Sequence, residues 1–181
     1  MNIFYLNENP RIAAQEHNNK HVVKMVLETA QLLSSAHRFL DADEIITTKV
    51  NNRKKTLYLF HDEIKEKTIY KMAHIKHPST IWTRSNKKHY DWLYQLFVEL
   101  CKEYTYRYSK VHLSESKLKS YLQHAPKNIA DIDFQQPPQA MPDKYKHKDS
   151  VIAYHNYYMG DKAHIAVWHK RSIPSWFITK T

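Results

Sequence analysis

His17, His21, Lys24, Glu28, Gln31 and Ser35 follow one another at steps of three and four residues. Wound as an α-helix at about 100° per residue, they fall within an arc of roughly 80°. A carboxylate, an ammonium group and two imidazoles on one stripe are the parts of an acid–base site. Glu28 could move a proton or steady a developing cation, Lys24 could act as a nucleophile, and the histidines could shuttle protons. The same residues also form a plain wet face, because Lys24 and Glu28 have the four-residue spacing of an intrahelical ion pair. Val22, Val23, Val26, Ala30 and Leu33 take the far side, with Met25, Leu27 and Leu32 flanking the stripe. So little of the circumference is polar that the helix is expected to be packed on several sides and to present the stripe to a cleft. His37 lies on the apolar side and reads as a hydrogen-bonded core histidine.

Other residues could serve a bound polyanion. Lys20, His17, His74 and His77 would sit near the stripe or supply contacts to a substrate. Trp82, Arg84, Lys87, Lys88, Trp168, Lys170, Arg171 and Trp176 mix cations that clamp phosphates with rings that stack on bases. Against this, tryptophans usually belong to the core.

Several elements must position these groups. Asn2 to Leu6 is a short strand or a buried extended lead-in. Asn9-Pro10 opens a helix, since proline suits a first turn, and a helical pattern runs from Ile12 to Leu40 with a break near Asn18-Asn19. Glu44 to Val50, a turn at Asn51 to Lys54, and Lys55 to Phe60 predict a β-hairpin. Asp62 to His74 reads as helix, and Pro78 starts a turn carrying Trp82. Ser85 is expected to cap the clearest helix, whose Tyr90, Leu93, Tyr94, Phe97, Leu100, Cys101, Tyr104 and Tyr108 recur at helical spacing. Ser114 to Leu122 is a shorter helix. Pro126, Pro137, Pro138 and Pro142 make 125–147 an extended loop. Asp149 or Ser150 caps a last helix to Tyr158 that Gly160 ends. The expected fold is mainly α: a compact helical single domain over 1–181, with a long proline-rich loop and at most a small β-hairpin.

Composition narrows the partners. Over 181 residues, 28 Lys and Arg stand against 18 Asp and Glu, a net charge of +10 that favours polyanions through counterion release. Nucleic acid, DNA above all, or a nucleotide is therefore the expected partner. With one glycine, Gly160, the chain cannot build the phosphate-cradling loops of P-loop or dinucleotide-binding proteins. One cysteine, Cys101, excludes an internal disulfide. No run reaches the ~20 apolar residues of a membrane span, and residues 1–10 lack the pattern of a signal peptide. The expected location is the cytoplasm, that of the host if the protein is phage-encoded.

The run from Asn18 to Leu33 resembles a family of small bacteriophage proteins, as do His74–Trp82, Glu103–Tyr108, Pro138–Tyr145 and Ser150–Tyr158. The pattern Asn19-x-His21, six residues, Glu28 also resembles the active-site helix of the phage pyrimidine-dimer DNA glycosylases, the endonuclease V family. That resemblance, over about a dozen residues, implies a basic, all-helical DNA-repair enzyme. It implies an N-terminal α-amine as nucleophile, Glu28 as the essential carboxylate, His21 in support, and no cofactor or metal. The family exposes a threonine amine after losing its initiator methionine. Here residue 2 is Asn2, a poor substrate for that removal, so the amine would be that of Met1. Lys24, one turn from Glu28, could replace it, or the scaffold could carry changed chemistry. An α-amine, ordinarily near pKa ~8, is better placed than a lysine near ~10.4 to be neutral at working pH.

Two other function classes fit the same residues. A metal-dependent hydrolase or nuclease would draw on His17, His21, Glu28 and His74-x-x-His77, although there is no His-Glu-x-x-His motif, cysteine cluster or acidic pair. A non-catalytic phage effector would bind nucleic acid, a nucleotide or a host protein, using the basic, aromatic surface around Pro137 to Lys148.

Overall fold

The computed structural model describes residues 1–178. Asn9 caps helix α1, Pro10–Glu16, by accepting from the Arg11 and Ile12 N–H groups, with Pro10 in the first turn where no donor is missed. His17 and Asn18 are extended, and the Asn18 side chain accepts from His21 N–H to start α2, Asn19–Asp41. The break therefore falls at His17-Asn18, one residue before the position read from the sequence.

Strands β1, Glu44–Val50, and β2, Arg53–Leu59, pair antiparallel with Glu44 opposite Leu59 and Val50 opposite Arg53. Asn51 and Asn52 have φ of 50° and 59°, the pair of positive values that a two-residue type I′ turn requires and that asparagine tolerates. The turn is tighter than the four residues expected, and Arg53 and Lys54 already belong to β2.

Helix α3 covers only Glu63–Thr68. The expected helix to His74 is cut short by Arg38, whose guanidinium takes the carbonyls of Glu66, Ile69 and Tyr70 that a longer helix would have used internally. Helix α4 is Pro78–Ser85, capped by the His77 ring, and α5 is Lys87–Tyr108. The cap of α5 is Asn86, not Ser85, whose hydroxyl turns back to Trp82 O within α4. Helix α6 is Leu113–Leu118, capped by His112 rather than Ser114 and ending before Leu122. Between α6 and α7, Ser150–Met159, the one regular element is a 3₁₀ turn at Asp143–Tyr145. Asp149 caps α7 and Gly160 ends it. A second 3₁₀ turn follows at Ala163–Ile165. The described residues are thus mainly helical with a small two-stranded antiparallel sheet, and no helix among them is long and apolar enough to cross a membrane.

The core lies between α2, α4 and α5, with residues 2–6 threaded through it. Ile3, Phe4, Tyr5 and Leu6 are buried without joining a sheet. They belong to the same buried core as Met25, Val26, Leu33, Leu93 and Phe97. Residues 167–171 lie across the junction of α1 and α2. Val167 O accepts from Asn19 N–H, Trp168 Nε1 donates to Glu16 O, and Arg171 forks onto Glu103. Glu103 is also bound by Arg107, itself buried and donating to Asn19 and Gln15.

Candidate active site

The buried lead-in delivers the start of the chain to the polar stripe of α2. Asn2 N–H donates to Glu28 Oε2 at 3.2 Å, and Lys24 Nζ stands 3.2 Å from Glu28 Oε1. The Glu28 side chain is 13% exposed, whereas that of Lys24 is 60% exposed, so the carboxylate is sheltered and its counter-ion faces solvent. Asn2 is pinned on three sides. Its Nδ2 donates to Ala140 O, and its Oδ1 accepts from the Tyr154 hydroxyl and from Ile3 N–H. With Asn2 so fixed, Met1 lies one peptide bond from the N–H that Glu28 accepts.

Residues 73–77 run alongside α2 and α4. The Ser35 hydroxyl accepts from Ala73 N–H at 3.1 Å and Arg84 donates to Ile75 O, tying this segment to α2 and α4. His74 sits at φ 47°, a left-handed turn that feeds the chain into His77. The His77 Nδ1 accepts from Ser79 N–H as the cap of α4, which leaves Nε2 as the protonated nitrogen of the neutral ring. Its pKa is lowered by burial, then by the N-terminal amine and His74, with Glu28 acting in the opposite sense. His77, His74, Glu28 and the amine thus share one electrostatic neighbourhood.

The two histidines at the start of the stripe go elsewhere. His17 is fully buried, its Nδ1 bonds Ala13 O at 2.6 Å, and burial pushes its pKa down to about 4. His21 stacks on Phe4, bonds the Tyr158 hydroxyl through Nδ1, and is pushed down to about 2 by burial, then by His17, Lys162 and Lys24. Both are neutral core groups, and substrate cannot touch His17 without displacing the residues above it. The helix faces solvent through Lys20, Val23, Lys24 and Leu27, so the stripe runs along the edge of the buried face and not down its open side. Val23 and Leu27 stand 40% exposed where the sequence implied packing.

The remaining candidates are scattered and mostly occupied. Trp82 is buried against His89 and donates to Gln135 O. Trp176 stacks on His155 at 3.9 Å, and Trp168 is buried. Arg84 lies over Phe39, Lys87 pairs with Asp91, and Lys88 pairs with Asp133. Lys170 donates to Tyr106 O, and Arg171 is held by Glu103. Among the described residues no three His, Cys, Asp or Glu side chains converge as a metal site would require. In particular, the His17–His21 pair and the His74–His77 pair belong to different surroundings.

Reading the sequence missed Asn2 and Tyr154, which are 152 residues apart. Their only sequence signal was a polar residue inside an apolar lead-in and a tyrosine on the inner face of α7. A groove of about 1010 Å³ between α5 and α6, lined by Tyr94, Val98, Glu115, Lys119 and His124 among others, shares no residue with this site. No family model, curated protein or solved structure matches the chain.

Proposed function

We propose that the protein is a DNA-processing enzyme of the glycosylase and abasic-site lyase type, acting on a damaged or modified pyrimidine in the host cytoplasm. The observation that carries this reading is the hydrogen bond from Asn2 N–H to Glu28, which sets a sheltered carboxylate one residue along the chain from the Met1 amine. In the proposed reaction the Met1 amine attacks C1′ of the deoxyribose through its nitrogen lone pair. The glycosidic bond breaks, and the base leaves with its electron pair and a proton. The C1′–O4′ bond then opens as the nitrogen lone pair forms C1′=N, O4′ takes a proton from water, and the resulting iminium is steadied by the Glu28 carboxylate. Glu28 then takes a C2′ proton as the C3′–O bond breaks and the strand is cut, and water releases the product from the amine. Lys24 serves as the counter-ion of Glu28 in this scheme. The chain at Ala140 borders the site, since its carbonyl fixes Asn2.

Borohydride trapping tests the proposal. Incubated with an oligonucleotide carrying an abasic site or an ultraviolet photoproduct and then reduced, the protein is expected to form a covalent adduct. Glu28→Gln is expected to lower cleavage by about 10²- to 10⁴-fold while leaving affinity for the same DNA within about twofold. Retained cleavage by the Gln variant would remove the carboxylate from the mechanism. Binding without any adduct would leave the non-catalytic effector as the better reading.

A further inference from the structure

Between Glu44 and Asp62 the chain carries Lys49, Arg53, Lys54 and Lys55 and no acidic residue. All four cations fall in the distal half of the β1–β2 hairpin. Lys49 stands directly opposite Lys54, and Lys55 stands opposite Thr48. Like charges placed directly opposite across a strand pair destabilise it, and a two-stranded ribbon is marginal by itself. Several surface lysines elsewhere are answered by acids: Lys67 by Glu63, Lys87 by Asp91, Lys102 by Glu99, Lys119 by Glu115 and Lys146 by Asp143. Among the described residues none of the four hairpin cations has such a partner. Both faces of the distal ribbon are largely exposed, with Thr47, Lys49, Arg53, Lys54, Lys55 and Thr56 open to solvent.

The base of the hairpin, in contrast, is fastened. Arg38 donates to Tyr58 O, the Tyr58 ring meets Phe39, and Asp43 Oδ2 accepts from His61 N–H. The result is a fixed root and a free, cationic tip. Seven residues per strand at about 3.4 Å each give an arm about 24 Å long. B-DNA has a major groove about 12 Å wide that admits a two-stranded β-ribbon, and its phosphates supply the anions this ribbon lacks. Glu28 lies thirteen residues before Asp41 on α2, about 20 Å at 1.5 Å per residue, or roughly six base-pair steps.

We propose that the β1–β2 hairpin is an arm that grips double-stranded DNA, with Lys49, Arg53, Lys54 and Lys55 on phosphates that flank the nucleotide at Glu28. The choice of DNA rests on the DNA-processing reading above, whereas the uncompensated charge does not depend on any chemistry at Glu28.

The test is a salt titration of binding to a duplex of about 20 bp, followed by fluorescence anisotropy between about 50 and about 300 mM salt. For the variant Lys49→Gln/Arg53→Gln/Lys54→Gln/Lys55→Gln, the slope of log K against log [salt] is expected to become shallower by about 3 to 4. Affinity near 0.1 M salt should fall at least about tenfold. The charge-preserving variant Lys49→Arg/Lys54→Arg/Lys55→Arg should keep the parental slope. A parental slope in the Gln variant overturns the proposal, as does loss of binding in the Arg variant. So does a Gln variant that loses only its binding to phosphatidylserine vesicles. Trapping on a short single-stranded abasic oligonucleotide separates the two readings. If the arm is wrong, adduct forms and the slopes coincide; if the enzyme reading is wrong, no adduct forms from either protein although the slopes still differ.

Discussion

Glu28 does its proposed work because of what holds its neighbours. A carboxylate on an exposed helical face would be a solvated partner of Lys24 and little more. Here the Asn2 N–H occupies one oxygen and Lys24 the other, at 3.2 Å each. Glu28 was legible from its helical spacing with Lys24, whereas the partner that shelters it was not, since Asn2 lies 26 residues away and is fixed by Ala140 and Tyr154. Nothing in local sequence periodicity encodes such a meeting. His77 was also visible only as half of a His-x-x-His pair, and its structural setting makes it the cap of α4 and puts it within the electrostatic reach of the amine and Glu28. His77→Asn keeps the cap and removes the ring, because asparagine caps helices well. The substitution is expected to leave the melting temperature within a few degrees. It should lower the cleavage rate by up to about tenfold, because the Nε2–H donor of the ring is lost. An identical cleavage rate in parent and variant would place His77 outside the reaction.

At the scale of elements, helix periodicity found α1, α2, α5 and α7, because an apolar stripe with a capping residue is a local signal. It overran α3, because what ends α3 is an arginine 25 residues upstream of Glu63. Arg38 is fully buried and donates to Tyr58 O, Tyr70 O, Glu66 O, Ile69 O and Glu66 Oε2. Burial alone would raise the Glu66 carboxyl, but Lys71, the Phe60 N–H and Arg38 together hold it down at about 2. This one side chain joins α2 to the root of the hairpin, to α3 and to the segment leading to His74. Arg38→Met leaves those acceptors unpaired and is expected to cost about 3–5 kcal/mol of stability, read from denaturant unfolding. A loss below about 1 kcal/mol would mean that the carbonyls find other donors and that Arg38 does not organise the region.

Across the whole molecule, the net charge of +10 and thirteen histidines set the response to solution conditions. His17 and His21 are held at about 4 and about 2, and His37, bonded through Nε2 to the Tyr90 hydroxyl, at about 4, burial being the first cause in each. Each folded value lies below the unfolded one near ~6.5, so the unfolded chain binds more protons as pH falls and stability is lost on acidification. The three together should remove roughly 5 kcal/mol between about pH 7 and pH 5. A stability profile flat across that interval would mean that these rings charge freely in the folded state. Composition already pointed to a polyanion partner, but it could not say where the charge is free. Lys87, Lys88, Lys170 and Arg171 turn out to be tied to Asp91, Asp133, Tyr106 and Glu103, whereas Lys49, Arg53, Lys54 and Lys55 cluster on the hairpin without an acidic partner among the described residues.

The most direct measurement is peptide mapping, by mass spectrometry, of the reduced adduct formed on abasic DNA. The mass of the deoxyribose remnant is expected on the Met1 amine, in the peptide that begins Met1-Asn2-Ile3, and to be missing when Glu28 is replaced by Gln. A remnant on Lys24, or a protein that binds the DNA yet carries no remnant at all, would contradict the account.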